Sequence, residues 1–137
     1  MPTLIDWNDR LVLGIASVDR QHRELAEQLN LLSPLVEAHA YSSERLTHIL
    51  ASLYQHTCAH FEHEERLMAD IDYSGLQSHH DEHRMLLAEL KSFVRQIENG
   101  TAFFDLRSLL ALRDWLVVHI VDSDRSFAEE YRRYYDR

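Results

Sequence analysis

Residues 43–71 read SERLTHILASLYQHTCAHFEHEERLMADI. Within this run Leu46, Ile49, Leu50, Leu53, Thr57, His60, Glu64, Leu67 and Met68 recur every three or four positions, the spacing of one helix face. The stretch therefore predicts one long amphipathic helix. Its inward stripe changes character along its length: leucine and isoleucine fill the first half, and His60 and Glu64 sit in the second. Burying a polar group without a partner costs about 1–3 kcal/mol, and an unpaired carboxylate costs more.

The flanking sequence repeats the pattern. A first helix is expected from about Val18 to Ser33, with Val18, His22, Leu25, Leu29 and Leu32 on its stripe, and Pro34 ending or kinking it. After a break at Asp72 to Gly75, a third helix runs from about Leu76 to Glu98. It carries Leu76, His79, His83, Leu86, Leu90, Phe93, Val94 and Ile97, and Asn99 and Gly100 close it. A fourth spans about Phe104 to Val121, with Leu109, Leu112, Leu116, His119 and Ile120 inward. A short tail helix follows through Phe127 and Tyr131. Short connections between four amphipathic helices favour an all-α, up-down-up-down four-helix bundle. The first 17 residues, with Trp7 and Gly14, read as an arm laid over it, and residues 1–137 as a single domain.

His22, His60, Glu64, His79, His83 and His119 thus occupy core positions on all four helices. In an up-down-up-down bundle the start of one helix lies level with the end of the next. His22 and the His79/His83 pair are near helix starts, and His60, Glu64 and His119 are near helix ends. All six therefore fall in one layer at the same end of the bundle. At 1.5 Å rise per residue, a slip of several residues in any helix would have broken that layer. His60/Glu64 and His79/His83 are each four apart, so each pair shares a helix face. Nitrogen and carboxylate donors without thiolate suit zinc, iron, copper or nickel, which leaves the metal open at this point.

Composition narrows the function classes. The 137 residues are 45% hydrophobic and 27% charged, an ordinary globular balance, and 3 Gly with 2 Pro are too few for a turn-rich β fold. A formal charge of −9 argues against nucleic acid or an anionic membrane as partner. One Cys, Cys58, excludes an internal disulfide and a thiolate-built metal site. The N-terminus MPTLIDWNDR has no basic segment followed by an apolar one, and no apolar run reaches membrane-spanning length, so a cytoplasmic location is expected.

Four pieces of the sequence together resemble the bacterial hemerythrin family: Val18-Asp19-Arg20-Gln21-His22; His60-Phe61-Glu62-His63-Glu64-Glu65-Arg66-Leu67-Met68; His79-His80-Asp81-Glu82-His83; and Trp115-Leu116-Val117-Val118-His119-Ile120-Val121-Asp122-Ser123-Asp124. Each alone is weak; four in this order and spacing, across nearly the whole chain, are specific. The resemblance implies two iron ions, one held by His79, His83 and His119, the other by His22 and His60. It also implies bridging of both by Glu64, Asp124 and an oxo or hydroxo group. That ligand set fills all but one of the positions two six-coordinate irons offer, and the vacancy falls on the iron held by His22 and His60. Phe61, Trp115, Leu116 and Ile120 match family positions around that vacancy, where an apolar wall excludes water; as bare sequence they are equally core packing. The implied function is reversible binding of O2, or of NO or small anions at the same position, for storage, delivery or sensing by a monomer that is not primarily an enzyme, with an unidentified delivery or signalling partner.

One choice sits awkwardly with helix geometry. Asp122 is the better-spaced mate for His119, whereas the family pattern selects Asp124 at i+5. Five residues turn an ideal helix by roughly 500°, well off the face. Choosing Asp124 predicts a π-bulge or a helix end near Asp122. Glu64 is preferred to Glu65 because only Glu64 lies on the inward stripe. His39, His48, His63 and His80 are expected to be solvated, and His56, one turn before His60, to be packing or a support of the site. A ferritin-like oxidase is disfavoured because no His here has Glu three residues before it. His79-x-x-Glu82-His83 formally fits a zinc-peptidase motif, which would leave the other inward histidines unexplained. A diiron enzyme with peroxidase-like or nitric-oxide-handling activity would use the same ligands and is the main alternative.

Overall fold

The computed structural model describes residues 5–37, 43–99 and 105–136, and among these there are helices and no strand. α1 spans Ala16–Asn30, α2 Ser33–Glu37, α3 Ser43–Asp70, α4 Leu76–Glu98, α5 Leu106–His119 and α6 Arg125–Tyr135, with a π-helical segment Ile120–Asp124 joining the last two. α1 packs on α3 and α5, and α3 packs on α4. The long helices alternate in direction, as the short connections between them predict. The histidine-bearing stretches of the helices sit at one end of this four-helix bundle. None of the helices among the described residues is long and apolar enough to cross a membrane.

The end remote from the histidines is an ordinary leucine core. Leu29, Leu32, Leu46, Leu50, Leu53, Leu90 and Leu109 are each 2% exposed or less. Burying one such side chain contributes roughly 1.5–3 kcal/mol, and that half of the bundle supplies most of the apolar burial. At the other end Val18, Met68, Ile71 and Phe127 close the bundle beneath the polar layer, and Tyr73 meets Phe127 edge-on at 5.4 Å.

The helix ends follow local chemistry. α1 stops at Asn30, three residues before the expected Ser33, and the chain restarts as α2. There Pro34 sits in the first turn, where its missing N–H is not needed. After α3 the chain reverses at Asp72, whose φ of 51° lies in the left-handed region; the amides of Asp72 and Tyr73 donate back to Ala69 and Met68. Asn99 ends α4, its N–H donating to Arg95 O at 2.9 Å; Gly100 lies outside the described residues. α5 begins at Leu106, where Asp105 accepts from Ser108 N at 3.0 Å; the expected start at Phe104 also lies outside the described residues.

From Ile5 on, the N-terminal arm lies against the bundle, and specific bonds hold it; residues 1–4 lie outside the described residues. Ile5 N donates to Asn30 Oδ1 at 2.9 Å, and Asn30 Nδ2 returns a bond to Ile5 O at 3.1 Å. Asp19, on the first turn of α1, accepts from Leu13 N and Gly14 N at 2.8 and 3.1 Å. Gly14 has φ +91°, and a Cβ there would lie 2.9 Å from Arg132 Cδ. The tail helix differs from expectation in one respect: it is not separate but runs on from α5 through the π segment.

Candidate metal centre

Each long helix contributes to one buried layer: His22 from α1, His60 and Glu64 from α3, His79 and His83 from α4, His119 from α5, and Asp124 from the π segment. All seven are buried, from 0% exposure at His22, Glu64 and Asp124 to 5% at His79 and His119. The π segment solves the i+5 difficulty. Its wider turn brings Asp124 inward under His119, with His119 Nε2 and Asp124 Oδ1 at 3.1 Å, while Asp122 faces solvent.

The donor atoms form two overlapping groups, Glu64/His79/His83/His119/Asp124 and His22/His60/Glu64/Asp124. The carboxylates divide their oxygens between them. Glu64 Oε2 lies 3.0 Å from His60 Nε2 and 3.4 Å from His22 Nε2; its Oε1 lies 3.2 Å from His83 Nε2 and 3.3 Å from His79 Nε2. Asp124 Oδ2 lies 3.0 Å from His22 Nε2, and its Oδ1 is 3.0 Å from His79 Nε2. Donors about 2.1 Å from one ion and at right angles are about 3.0 Å apart, which is this spacing. Moreover His22 Nε2, His60 Nε2, both Glu64 oxygens and Asp124 Oδ2 are buried with no hydrogen-bond partner despite these distances. They aim at common points rather than at one another. Nitrogen and carboxylate donors of this kind fit iron, and two shared carboxylates fit two ions side by side.

Electrostatics agree. Burial alone would pull the imidazole pKa of His22 and His79 down, but Asp124 and Glu64 more than reverse this and raise both to about 9. His119 is likewise depressed by burial and raised overall by Asp124. Burial dominates at His60 and lowers its pKa, with the neighbouring His22 adding to the effect. Burial pushes Glu64 and Asp124 upward, yet the surrounding histidines hold both well below the usual carboxylate range. The layer is therefore built to hold two carboxylates ionised beside concentrated positive charge.

The far nitrogens of three of the five histidines are also occupied. His60 Nδ1–H donates to Gln21 Oε1 at 2.7 Å, His83 Nδ1–H to Glu65 Oε2 at 2.9 Å, and His119 Nδ1–H to Glu82 Oε1 at 2.8 Å. Each acceptor is an oxygen that can only accept, so the proton sits on Nδ1 and Nε2 faces the layer with its lone pair free. Glu65 is in turn bonded by His80, and Glu82 by the hydroxyl of Ser123 at 2.9 Å. Gln21, Glu65, Glu82 and Ser123 were not singled out by the sequence as supports. Their signal was adjacency: each lies one residue from an inward donor, on the flank that backs a ring of the neighbouring helix. Two expectations are corrected. His63 and His80 are half-buried and bonded, His63 Nε2 to Ser17 Oγ at 2.8 Å, because their flanks meet the neighbouring helices. His56 is exposed and supports nothing, because its turn lies level with the leucine core rather than with the polar layer.

A cleft too narrow for a water molecule adjoins the layer beside His22, His60 and His119, and Phe61, Trp115 and Leu116 are among its walls. Phe61 is 4% exposed and stacks on the His83 ring at 3.7 Å with 4° between planes. Trp115 also forms part of an outer groove between α4 and α5, with Leu90, Phe93 and Leu112. Ile120 is buried beneath the layer at 1% exposure but does not line the cleft.

These features define a four-helix bundle whose core, at one end, is a dry histidine–carboxylate cage laid out for metal ions. The hemerythrin model, described as the Hemerythrin HHE cation binding domain, matches residues 13–131, and the chain belongs to this family. It is 28% identical over 127 residues to a bacteriohemerythrin of Pseudomonas paraeruginosa, covering 92% of this chain and 80% of that protein. To a myohemerythrin of Riftia pachyptila it is 28% identical over 124 residues, covering 90% and 91%. A solved wild-type hemerythrin crystal structure superposes with a TM-score of 0.84 at 23% identity, covering 92% of this chain and 96% of that one, which establishes the shared fold.

Proposed function

We propose that this chain binds O2 reversibly at two iron ions, for storage, delivery or sensing, rather than acting primarily as an enzyme. His79, His83 and His119 would hold one ion and His22 and His60 the other, with Glu64 and Asp124 serving both. When bound, iron supplies the electrons that O2 takes up and returns. The chain's own residues do the rest. The Nε2 lone pairs and carboxylates bind, the Nδ1–H bonds orient the rings, and Phe61, Trp115 and Leu116 keep water from the cleft, with Ile120 packed beneath. The observation that carries the proposal is the division of Glu64 and Asp124 oxygens between two histidine groups, beside an apolar cleft lined by His22, His60 and His119. A histidine-rich cage without Glu-x-x-His pairs suits reversible binding more than oxidation chemistry. The same proposal places the chain in the cytoplasm, as a monomer, with NO and small anions competing for the O2 position.

Metal analysis and anaerobic O2 titration test it together. The expected result is about two irons per chain and an optical change on adding O2 that disappears on deoxygenation. A single zinc per chain would point to the peptidase motif. Irreversible oxidation with turnover of a co-substrate would replace the carrier by the enzyme alternative.

A further inference from the structure

The hydrogen bonds behind the histidines are unlike on the two sides of the cage. On the three-histidine side two of the three rings are backed by carboxylates: Glu65 accepts from His83 Nδ1 at 2.9 Å, and Glu82 from His119 Nδ1 at 2.8 Å. On the two-histidine side His60 Nδ1 has only the neutral amide of Gln21, at 2.7 Å, and His22 Nδ1 is buried with no partner. Glu64 and Asp124 reach both groups and so do not distinguish them.

We infer that Glu65 and Glu82 are positioning residues that make the two ion positions electrically unequal, so that a half-oxidised pair carries its ferric ion at His79/His83/His119 and its ferrous ion at His22/His60. A carboxylate that draws on an Nδ1 proton strengthens Nε2 as a donor and adds a full negative charge behind the ring; an amide does the first weakly and the second not at all. Both effects favour the more highly charged ion. Neither carboxylate stands alone. His80 bonds Glu65 from the surface side, and Ser123 donates to both oxygens of Glu82 at 2.9 Å. These bonds fix each carboxylate against its ring. The adjoining cleft is lined by both donors of the neutrally backed side, His22 and His60, and by one donor of the other side, His119.

This inference rests on the diiron reading, so iron content is measured first. The iron-loaded protein is then reduced stepwise with dithionite under anaerobic spectroelectrochemical control, which resolves two one-electron steps. Glu65→Gln and Glu82→Gln keep shape and remove charge. Each is expected to shift the ferric/ferrous partition of the more easily oxidised ion by roughly tenfold, about 59 mV for one electron, and to narrow the gap between the two steps. Gln21→Glu puts charge behind the other ion and narrows the same gap from the opposite side, which keeps the test open if either glutamine variant folds poorly. A merely structural role would lower iron occupancy without moving the gap. Retained iron with an unchanged or wider gap in all three variants overturns the inference and leaves the diiron reading standing. Wild-type protein without two irons per chain overturns both.

Discussion

Replacing Phe61 by alanine tests the packing around the cage with a magnitude the structure supplies. Phe61 is 4% exposed and lies parallel to the His83 ring at 3.7 Å, with the His119 ring edge-on at 5.4 Å and the His60 ring at 5.8 Å. It therefore packs against rings from both histidine groups. Phe→Ala in such a position costs roughly 3–5 kcal/mol, from lost burial and from the void left behind. With an unfolding entropy of roughly 2.1 cal/mol/K per residue, the 137 residues lose about 3.5 °C of Tm per kcal/mol. Phe61→Ala should melt about 10–17 °C lower. Phe61→Leu leaves a smaller void and should fall by less than half of that. Because Phe61 donates no ligand atom, iron content should stay at the wild-type value, while the reversible O2 signal decays faster as water enters the cleft. Calorimetry or a CD melt gives the first number, metal analysis the second, and repeated oxygenation cycles the third. A Phe61→Ala protein melting within about 3 °C of wild type, with unchanged decay, would refute the claim that this ring seals the cage.

Three further outcomes are expected. Asp124→Asn should cost the protein its ion pair, seen as iron falling to one per chain or below, whereas Asp122→Asn, exposed two residues earlier, should leave iron content unchanged. In metal-free protein His22 and His79 have pKa values raised from 6.5 to about 9. Their stabilisation, roughly 3 kcal/mol for either and not additive because they share Glu64 and Asp124, is fully present below pH 6.5 and lost as pH rises through 9. The metal-free Tm should fall across that window, and iron, which takes the deprotonated nitrogens, should flatten the fall. Gly14→Ala forces an L side chain into φ +91° against Arg132. It should lower stability by about 1–2 kcal/mol, read as a Tm lower by about 3–7 °C, with iron content unaffected.

Much of this architecture is legible in the sequence because helical period and bundle depth are both one-dimensional quantities. Leu46 through Met68 announce a face, and the positions of His22, His60, His79, His83 and His119 along their helices announce a layer. The π segment is harder: nothing in Ile-Val-Asp-Ser-Asp distinguishes it from α-helix. Only the mismatch between an ideal turn and an inward Asp124 hints at it. The supporting bonds were missed for a different reason. Gln21, Glu65 and Glu82 lie on helix flanks, where periodicity sees ordinary solvated charge, and their partners are on other helices, at sequence separations of 39, 18 and 37. What a flank touches depends on helix rotation, which an amphipathic stripe fixes only to within a residue. His56 shows the converse error: four residues before His60 places it on a similar face, but one turn further from the polar layer, where the face turns to solvent.

The cage also explains how so polar a core survives in a bundle of this size. Unpaired buried charge is costly, yet this layer buries Glu64 and Asp124 completely. In the metal-free state the compensation comes from protons: His22 and His79, lifted to about 9, are cationic at neutral pH and stand against the two carboxylates. Metal ions would take the place of those protons, with the same oxygens and the same Nε2 atoms already aimed at the centre. The histidines thus do two jobs in succession, counter-charge and then ligand, so the layer need not be rebuilt on loading. Much of the apolar burial lies in the leucine half of α1, α3, α4 and α5, away from the cage. That division lets the polar end keep atoms such as His22 Nε2 and Glu64 Oε1 without a hydrogen bond, a condition a uniformly packed bundle of this length has no reason to retain.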